Sequence, residues 1–331
     1  MNYSDYIVSI EDLCKNYRTP VKGEGFGKSL LYLIRKQEII KEALSDFNML
    51  VKYGDCLGLI GPNGAGKTTL IKLMTGIISP TSGKINVLGF VPNKMENSFK
   101  MKIALVSGQK SQLFFDLTAL DSFSLLQEIY SIRKDEYKQT VQDLADILKV
   151  NNLLEQPIRN LSLGERMKME LIAALIHNPP ILFLDEPTIG LDCVSQNNLR
   201  IYLKEINKKK GTTIILTSHD FNDVKEICNR CIVINKGKKI SDSSADELIK
   251  KYNSKKVISI YFKNNNCLME FNCNVPQEVM ELTHDKIKIA VAPSDVEKVY
   301  HCILANRDVI DYSIEDEDIS SIIERVYDDD K

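Results

Sequence analysis

Residues Gly61-Pro62-Asn63-Gly64-Ala65-Gly66-Lys67-Thr68-Thr69 constrain this chain more than any other stretch. They fit the spacing G-x-x-x-x-G-K-[ST]. They follow a short apolar run, Leu57 to Ile60, and precede a helix-like segment, Thr69 to Met74. The order strand, glycine loop, helix is the one that a phosphate-binding loop requires. Such a loop wraps a polyphosphate so that several backbone N–H groups point inward together, and side chains at the positions of closest approach would block them. Gly61, Gly64 and Gly66 stand at those positions, with Pro62, Asn63 and Ala65 between them. The helix beginning at the loop adds its positive N-terminal end. Lys67 can then reach the terminal phosphates, and the Thr68 hydroxyl can ligate Mg2+. Alone, the motif implies only a nucleoside triphosphate.

Other stretches end where such a ligand would lie. Ile181 to Leu184 is wholly apolar, the pattern of a central parallel strand, and it terminates in Asp185-Glu186. Two adjacent acids at the end of a buried strand are costly unless they work. Asp185 can hold the metal, and Glu186 can act as general base toward the water attacking the γ-phosphate. Thr212 to Thr217 reads as another buried strand and ends at Ser218-His219-Asp220, where His219 can donate a hydrogen bond to the γ-phosphate. Lys102 to Ser107 is a third, running into Gly108-Gln109. Polar residues at the carboxyl ends of parallel strands face the ligand crevice, so Gln109 is placed to sense the metal or the attacking water. Tyr17, in an expected loop after a strand at residues 6–13, is either an adenine-stacking ring or a surface aromatic. In Leu161-Ser162-Leu163-Gly164-Glu165, the Ser162 and Glu165 pair spells a helix capping box.

A chain of 331 residues exceeds one hydrophobic core, so a large domain and a smaller one are expected. The large one spans 1–252. It carries an insert at 18–44 whose second half has loosely helical apolar spacing, suited to packing on the body or touching a membrane surface. It also carries an all-helical subdomain at about 110–178. Residues 253–331 form the smaller α+β domain, with expected strands at 257–262, 267–271, 286–291 and 308–314 and helices at 293–305 and 318–327. A net charge of −2 argues against a general nucleic-acid binder. No apolar run is long enough to span a bilayer, and no signal peptide is evident, so a cytoplasmic location is expected. The eight cysteines lack a framework spacing and are expected to be buried thiols; Cys228-Asn229-Arg230-Cys231 has no second pair to complete a zinc site.

Taken in order, Tyr17, the loop at 61–68, Gln109, the helical insert, Leu161 to Glu165, Ile181 to Asp185, Glu186, Gly190-Leu191-Asp192 and His219 resemble the ATP-binding cassette (ABC) superfamily over residues 6–252. The resemblance implies a phosphate-loop ATPase with a RecA-like α/β core, an antiparallel β subdomain and a helical subdomain, binding ATP and Mg2+. It implies that Tyr17 stacks on adenine and that Ser162, Leu163, Gly164 and Glu165 form a signature segment facing the nucleotide of an opposite subunit. Asp192 would then belong to the loop between the two sites, and Thr68, Gln109 and Asp185 to the metal. The usual signature is Leu-Ser-Gly-Gly-Gln, from which Leu163 and Glu165 depart. Ser107 to Leu117, Asp121-Ser122-Phe123 and Leu161 to Lys168 are similar to the ATPase subunits of bacterial type-two ABC exporters. That similarity implies a homodimer, or a dimer with a related cassette, peripheral to the inner face of the membrane and driving separate integral-membrane permeases. A soluble ABC-type ATPase acting on ribosomes or DNA is the rival. Ribosome-associated members carry two cassettes in one chain, whereas this chain has a single phosphate loop.

Overall fold

The computed structural model describes residues 5–20, 38–107, 111–218, 221–252, 255–263, 273 and 275–317. They fall into two compact units, Met1–Ala245 and Asp246–Lys331.

Two long strands open the first unit, β1 (Tyr6–Pro20) and β2 (Glu38–Lys52), which pair antiparallel with each other. Residues 38–44 are therefore strand, against the helical spacing expected there, and Tyr17 lies within β1 opposite Lys41 rather than in a loop. The physical reason is exposure: Ile39 and Ile40, adjacent in β2, are both exposed, so this end of the ribbon has no alternating buried face by which a strand is recognised. Nearer the other end the register shifts at several points, with Asp12 (φ 46°) and Asp46 (φ 45°) in the left-handed region. Residues 21–37 of the insert lie outside the described residues. Strand β3 (Cys56–Ile60) leads into helix α1 (Lys67–Met74), and β4 (Ser82–Val87) completes the antiparallel sheet in the order β2-β1-β4.

The second sheet holds the strands that end at the glycine loop and at the acidic pair Asp185-Glu186. After the short helix α2 (Asn97–Lys100), β5 (Ile103–Ser107), β6 (Ile181–Asp185), β7 (Thr213–Ser218) and β8 (Arg230–Asn235) join β3 in parallel, and β9 (Lys238–Ser243) adds antiparallel at the edge. The strand order is β5-β6-β7-β3-β8-β9. Every residue of β3, β6 and β7 is buried, as continuous apolar strands covered on both faces should be. Register then aligns their ends, pairing Ile60 with Ser218 and Asp185 with Thr217. Helix α1 buries Leu70, Ile71, Leu73 and Met74 in one core with Phe47, Leu57, Leu59 and Phe183. Each such side chain contributes about 1.5–3 kcal/mol through burial.

Between β5 and β6 lie α3 (Ala119–Ile129), α4 (Lys134–Leu148) and α5 (Leu163–Leu175). Helix α4 shows the expected apolar face, burying Val141, Leu144 and Leu148. Helices α6 (Cys193–Lys210) and α7 (Phe221–Ile227) follow β6 and β7. At Gly58 a Cβ would sit 2.3 Å from Val224 Cγ1, so α7 lies directly on β3.

The second unit contains nearly all of α8 (Ala245–Tyr252), then β10 (Lys256–Phe262), β11 (Gln277–Leu282), β12 (Lys286–Val291), α9 (Val296–Ala305) and β13 (Val309–Asp316). Its antiparallel sheet, ordered β11-β12-β10-β13, packs Ile258, Ile260 and Ile289 against Val299 and Ile303 of α9. Strand β11 has no counterpart in the sequence reading. The strand expected at 267–271 and the helix at 318–327 lie outside the described residues. Cys273 and Cys302 form a disulfide, which corrects the expectation of separate buried thiols there. Cys56, Cys228 and Cys231 are buried thiols outside any disulfide, as expected, whereas Cys193 is exposed. Among the described residues, no helix is long and apolar enough to cross a membrane.

Candidate nucleotide-binding site

The glycine loop leaves β3 at Gly61 and enters α1 at Lys67. Its backbone is held close on both sides. A Cβ on Gly61 would lie 2.3 Å from the Ile234 carbonyl oxygen. One on Gly66, whose φ is 113°, would lie 2.7 Å from the Ala43 carbonyl oxygen. Glycine is required there for space as well as for conformation.

Lys67 is buried, and its Nζ donates to the Gly61 carbonyl at 2.5 Å and the Pro62 carbonyl at 3.2 Å. The ammonium thus rests inside its own loop. Burial pushes its pKa below the usual lysine value, partly offset by the carboxylates of Glu186 and Asp185. Thr68 Oγ1 donates to Asp185 Oδ1 at 3.1 Å, which brings together a hydroxyl and a carboxylate oxygen. Hard oxygens in this number suit Mg2+, which takes one or two protein ligands and completes its shell with water and phosphate. Among the described residues no cluster of three or more His, Cys, Asp and Glu side chains forms a metal cage.

Glu186 follows Asp185 with φ 56°, a left-handed conformation uncommon outside glycine. Its backbone N–H donates to both the carbonyl and the Oγ1 of Thr217, each at 3.1 Å. The backbone turns at the end of β6 so that the carboxylate lines the cavity with the loop instead of continuing the strand. That cavity, about 610 Å³, is bordered by Tyr17, Lys41, Asn63 to Thr69, Ser107, Asp185 and Glu186. A larger one of about 750 Å³ lies against the antiparallel sheet beside Tyr6, Tyr53 and Leu88, but the glycine loop does not border it. Size does not select the site; converging phosphate-binding backbone does.

Ser162 to Glu165 and Asp192 do not line this cavity. Ser162 caps α5. Its Oγ accepts from Glu165 N at 3.3 Å and its own N–H donates to Glu165 Oε2 at 2.8 Å, the full capping box. The bonds from the Ser162 backbone and hydroxyl hold the Glu165 carboxyl below its ordinary pKa. Asp192 caps α6, accepting from Ser195 N at 2.9 Å. The two segments meet where a Cβ on Gly164 would come 2.8 Å from the Gly190 carbonyl oxygen. Gln109 and His219 lie outside the described residues. Thr217 was missed as a site residue, because only strand pairing sets it beside Asp185.

Comparison with known proteins agrees with this arrangement. Residues 44–189 match the ABC transporter family profile. The ABC transporter ATP-binding protein NatA of Bacillus subtilis is 30% identical over 213 residues, 64% of this chain and 86% of that protein. The chain belongs to the ABC transporter family. It is the ATP-binding subunit of a transporter and an ATPase. The Nod factor export ATP-binding protein I of Burkholderia thailandensis is 31% identical to this cassette over 229 residues, covering 69% of this chain and 74% of that one. A solved structure, cbiO1 of Clostridium perfringens, described as part of the ABC transporter complex cbiONQ, superposes with TM-score 0.59 at 27% identity. It covers 76% of this chain and 95% of its own.

Proposed function

We propose that this cassette energises export through separate membrane permeases, hydrolysing ATP between two cassettes packed head to tail. The convergence of Lys67, Thr68, Asp185 and Glu186 on one cavity carries the hydrolytic part of this reading, and the export relative supports its direction. Lys67 would exchange the Gly61 and Pro62 carbonyls for the β- and γ-phosphates, and Thr69 with the loop N–H groups would hold the rest. Tyr17, at the rim, would take the adenine. Thr68 and Asp185, with Gln109, would hold Mg2+, which neutralises phosphate charge when bound. Glu186 would accept the proton of the attacking water, with His219 donating to the γ-phosphate. Ser162, with the N-terminal amides of α5, would meet the γ-phosphate bound by the opposite cassette, and Asp192 would lie between the sites.

Docking to a permease is supported by the exposure of Phe114, Phe115 and Leu117 next to α3. The export relative and the cbiO1 complex support a transporter partner, and through that partner the cassette would sit at the inner face of the membrane. We take 1–252 as the nucleotide-binding domain and 253–331 as an accessory domain with regulatory or dimer-stabilising contacts. Affinity purification of the Glu186→Gln chain, expected to trap ATP, tests the whole reading. Membrane permeases should come with it. Ribosomal proteins or DNA in their place overturn it.

A further inference from the structure

Asp223, in α7, is 2% exposed and belongs to none of the motifs above. Its carboxylate takes hydrogen bonds from three separate segments. Oδ2 accepts from Thr188 Oγ1 at 2.6 Å and from Ser218 Oγ at 3.2 Å, and Oδ1 accepts from Arg200 Nε at 2.9 Å and Nη2 at 2.5 Å. Thr188 stands two residues after Glu186. Ser218 ends β7. Arg200 belongs to α6, the helix that Asp192 caps.

Thr188 is also held from its other end, because Gln196 Nε2 donates to the Thr188 carbonyl at 3.2 Å. Gln196 and Arg200 lie one turn apart on the same face of α6. The turn that carries Glu186 is therefore fixed at Thr217 before it and at Thr188 after it, the second through Asp223 and α6. Such bracing has a physical reason: Glu186 is left-handed, at a cost of about 1–2 kcal/mol for a residue with a Cβ. A strained residue keeps its conformation only where its neighbours over-determine it.

We propose that Asp223 is a positioning residue for hydrolysis. Through Thr188 it holds the turn that aims the Glu186 carboxylate, and through Arg200 it joins that turn to the helix starting at Asp192. This goes beyond the proposed function and rests on it in one respect, that Glu186 is the general base. If Asp223 served only to neutralise Arg200, the Thr188 hydroxyl would be dispensable for turnover.

The test compares Thr188→Val, Thr188→Ser, Asp223→Asn and Glu186→Gln in the full chain, measuring kcat and KM for ATP, nucleotide affinity with a fluorescent ATP analogue, and melting temperature. Thr188→Val leaves the Arg200 pair intact and removes one charged hydrogen bond. It is expected to lower kcat about tenfold or more, with KM and nucleotide affinity within about twofold. Thr188→Ser restores the hydroxyl and most of kcat, and Asp223→Asn, if it folds, loses at least as much as Thr188→Val. Parental kcat in Thr188→Val, or a serine variant no better than the valine one, overturns the inference. Parental turnover in Glu186→Gln overturns the general-base reading and this inference with it. Loss in Glu186→Gln beside parental kcat in Thr188→Val overturns this inference alone.

Discussion

The Thr217 hydroxyl donates to Asp185 Oδ1 at 2.7 Å, and the same oxygen accepts the Glu186 N–H at 3.1 Å. One side chain on β7 thus touches both acidic residues at the end of β6. Asp185 Oδ1 also takes a bond from Thr68, so the carboxylate proposed to face the metal is oriented by groups from α1 and β7 together.

Thr217→Val keeps the shape and strand propensity and removes both bonds. A buried hydrogen bond to a charged group is worth about 1.5–3 kcal/mol. ATPase activity is expected to fall about tenfold or more, and the Mg2+ concentration for half-maximal rate to rise. A Mg2+ titration of turnover reads this directly, and a parental curve would show that Thr217 does not orient Asp185.

Gly66→Ala and Gly64→Ala should separate conformational strain from steric exclusion. Both residues have positive φ, 113° and 82°, but only Gly66 has backbone within contact of an added Cβ, the Ala43 oxygen at 2.7 Å. Gly64→Ala is expected to cost about 1–2 kcal/mol through its conformation alone. Gly66→Ala must in addition push β2 away, and should abolish ATP binding as well as lower the melting temperature. Equal effects in calorimetry would contradict the packing of β2 on the loop.

Ser162→Ala removes a helix cap, for an expected stability loss of about 1 kcal/mol. If Ser162 also meets a γ-phosphate across the dimer, turnover at saturating ATP falls by much more than that loss implies. Ser162→Asp, which preserves capping but adds charge, then stays inactive while regaining stability. Denaturation curves run beside ATPase assays distinguish the two roles.

His177 follows α5, stacked on Tyr130 with ring centroids 3.9 Å apart, and its Nε2 is 3.2 Å from the Ile103 carbonyl oxygen, which it meets as an N–H donor. Its buried Nδ1 has no hydrogen-bond partner among the described residues, and burial lowers the imidazole pKa from 6.5 to about 4. The unfolded chain binds this proton first as pH falls. The neutral ring's contribution is therefore present above the unfolded value and lost as the pH drops from 6.5 toward about 4. Between about pH 7 and about pH 5 the loss should approach 2 kcal/mol. Denaturant unfolding at the two pH values should show a smaller decrease in His177→Gln.

The parallel strands, α1 and the helices α3 to α5 were legible in the residues, because apolar runs and three-four spacing are local properties. The strand character of 38–44 was not, since Ile39, Ile40, Lys41 and Glu42 are all exposed and no alternating buried face marks the strand. Strand β11 escaped for a similar reason: it is an edge strand, mostly exposed, with a register shift between Val279 and Glu281. The Cys273 to Cys302 disulfide joins residues far apart in the chain, and no spacing announces it.

The sequence by itself determined the phosphate loop, the apolar strand ending in Asp185-Glu186 and the capping box at Ser162. In each the chemistry needs contiguous residues, and their order is their geometry. Only the tertiary structure decided that Thr217 serves Asp185 and Glu186 together, that Thr188, Ser218 and Arg200 meet at Asp223, and that Glu186 is left-handed. Those relations arise from parallel strand pairing and from helices laid across the strand ends. Both bring distant residues within hydrogen-bond reach only after the chain has folded.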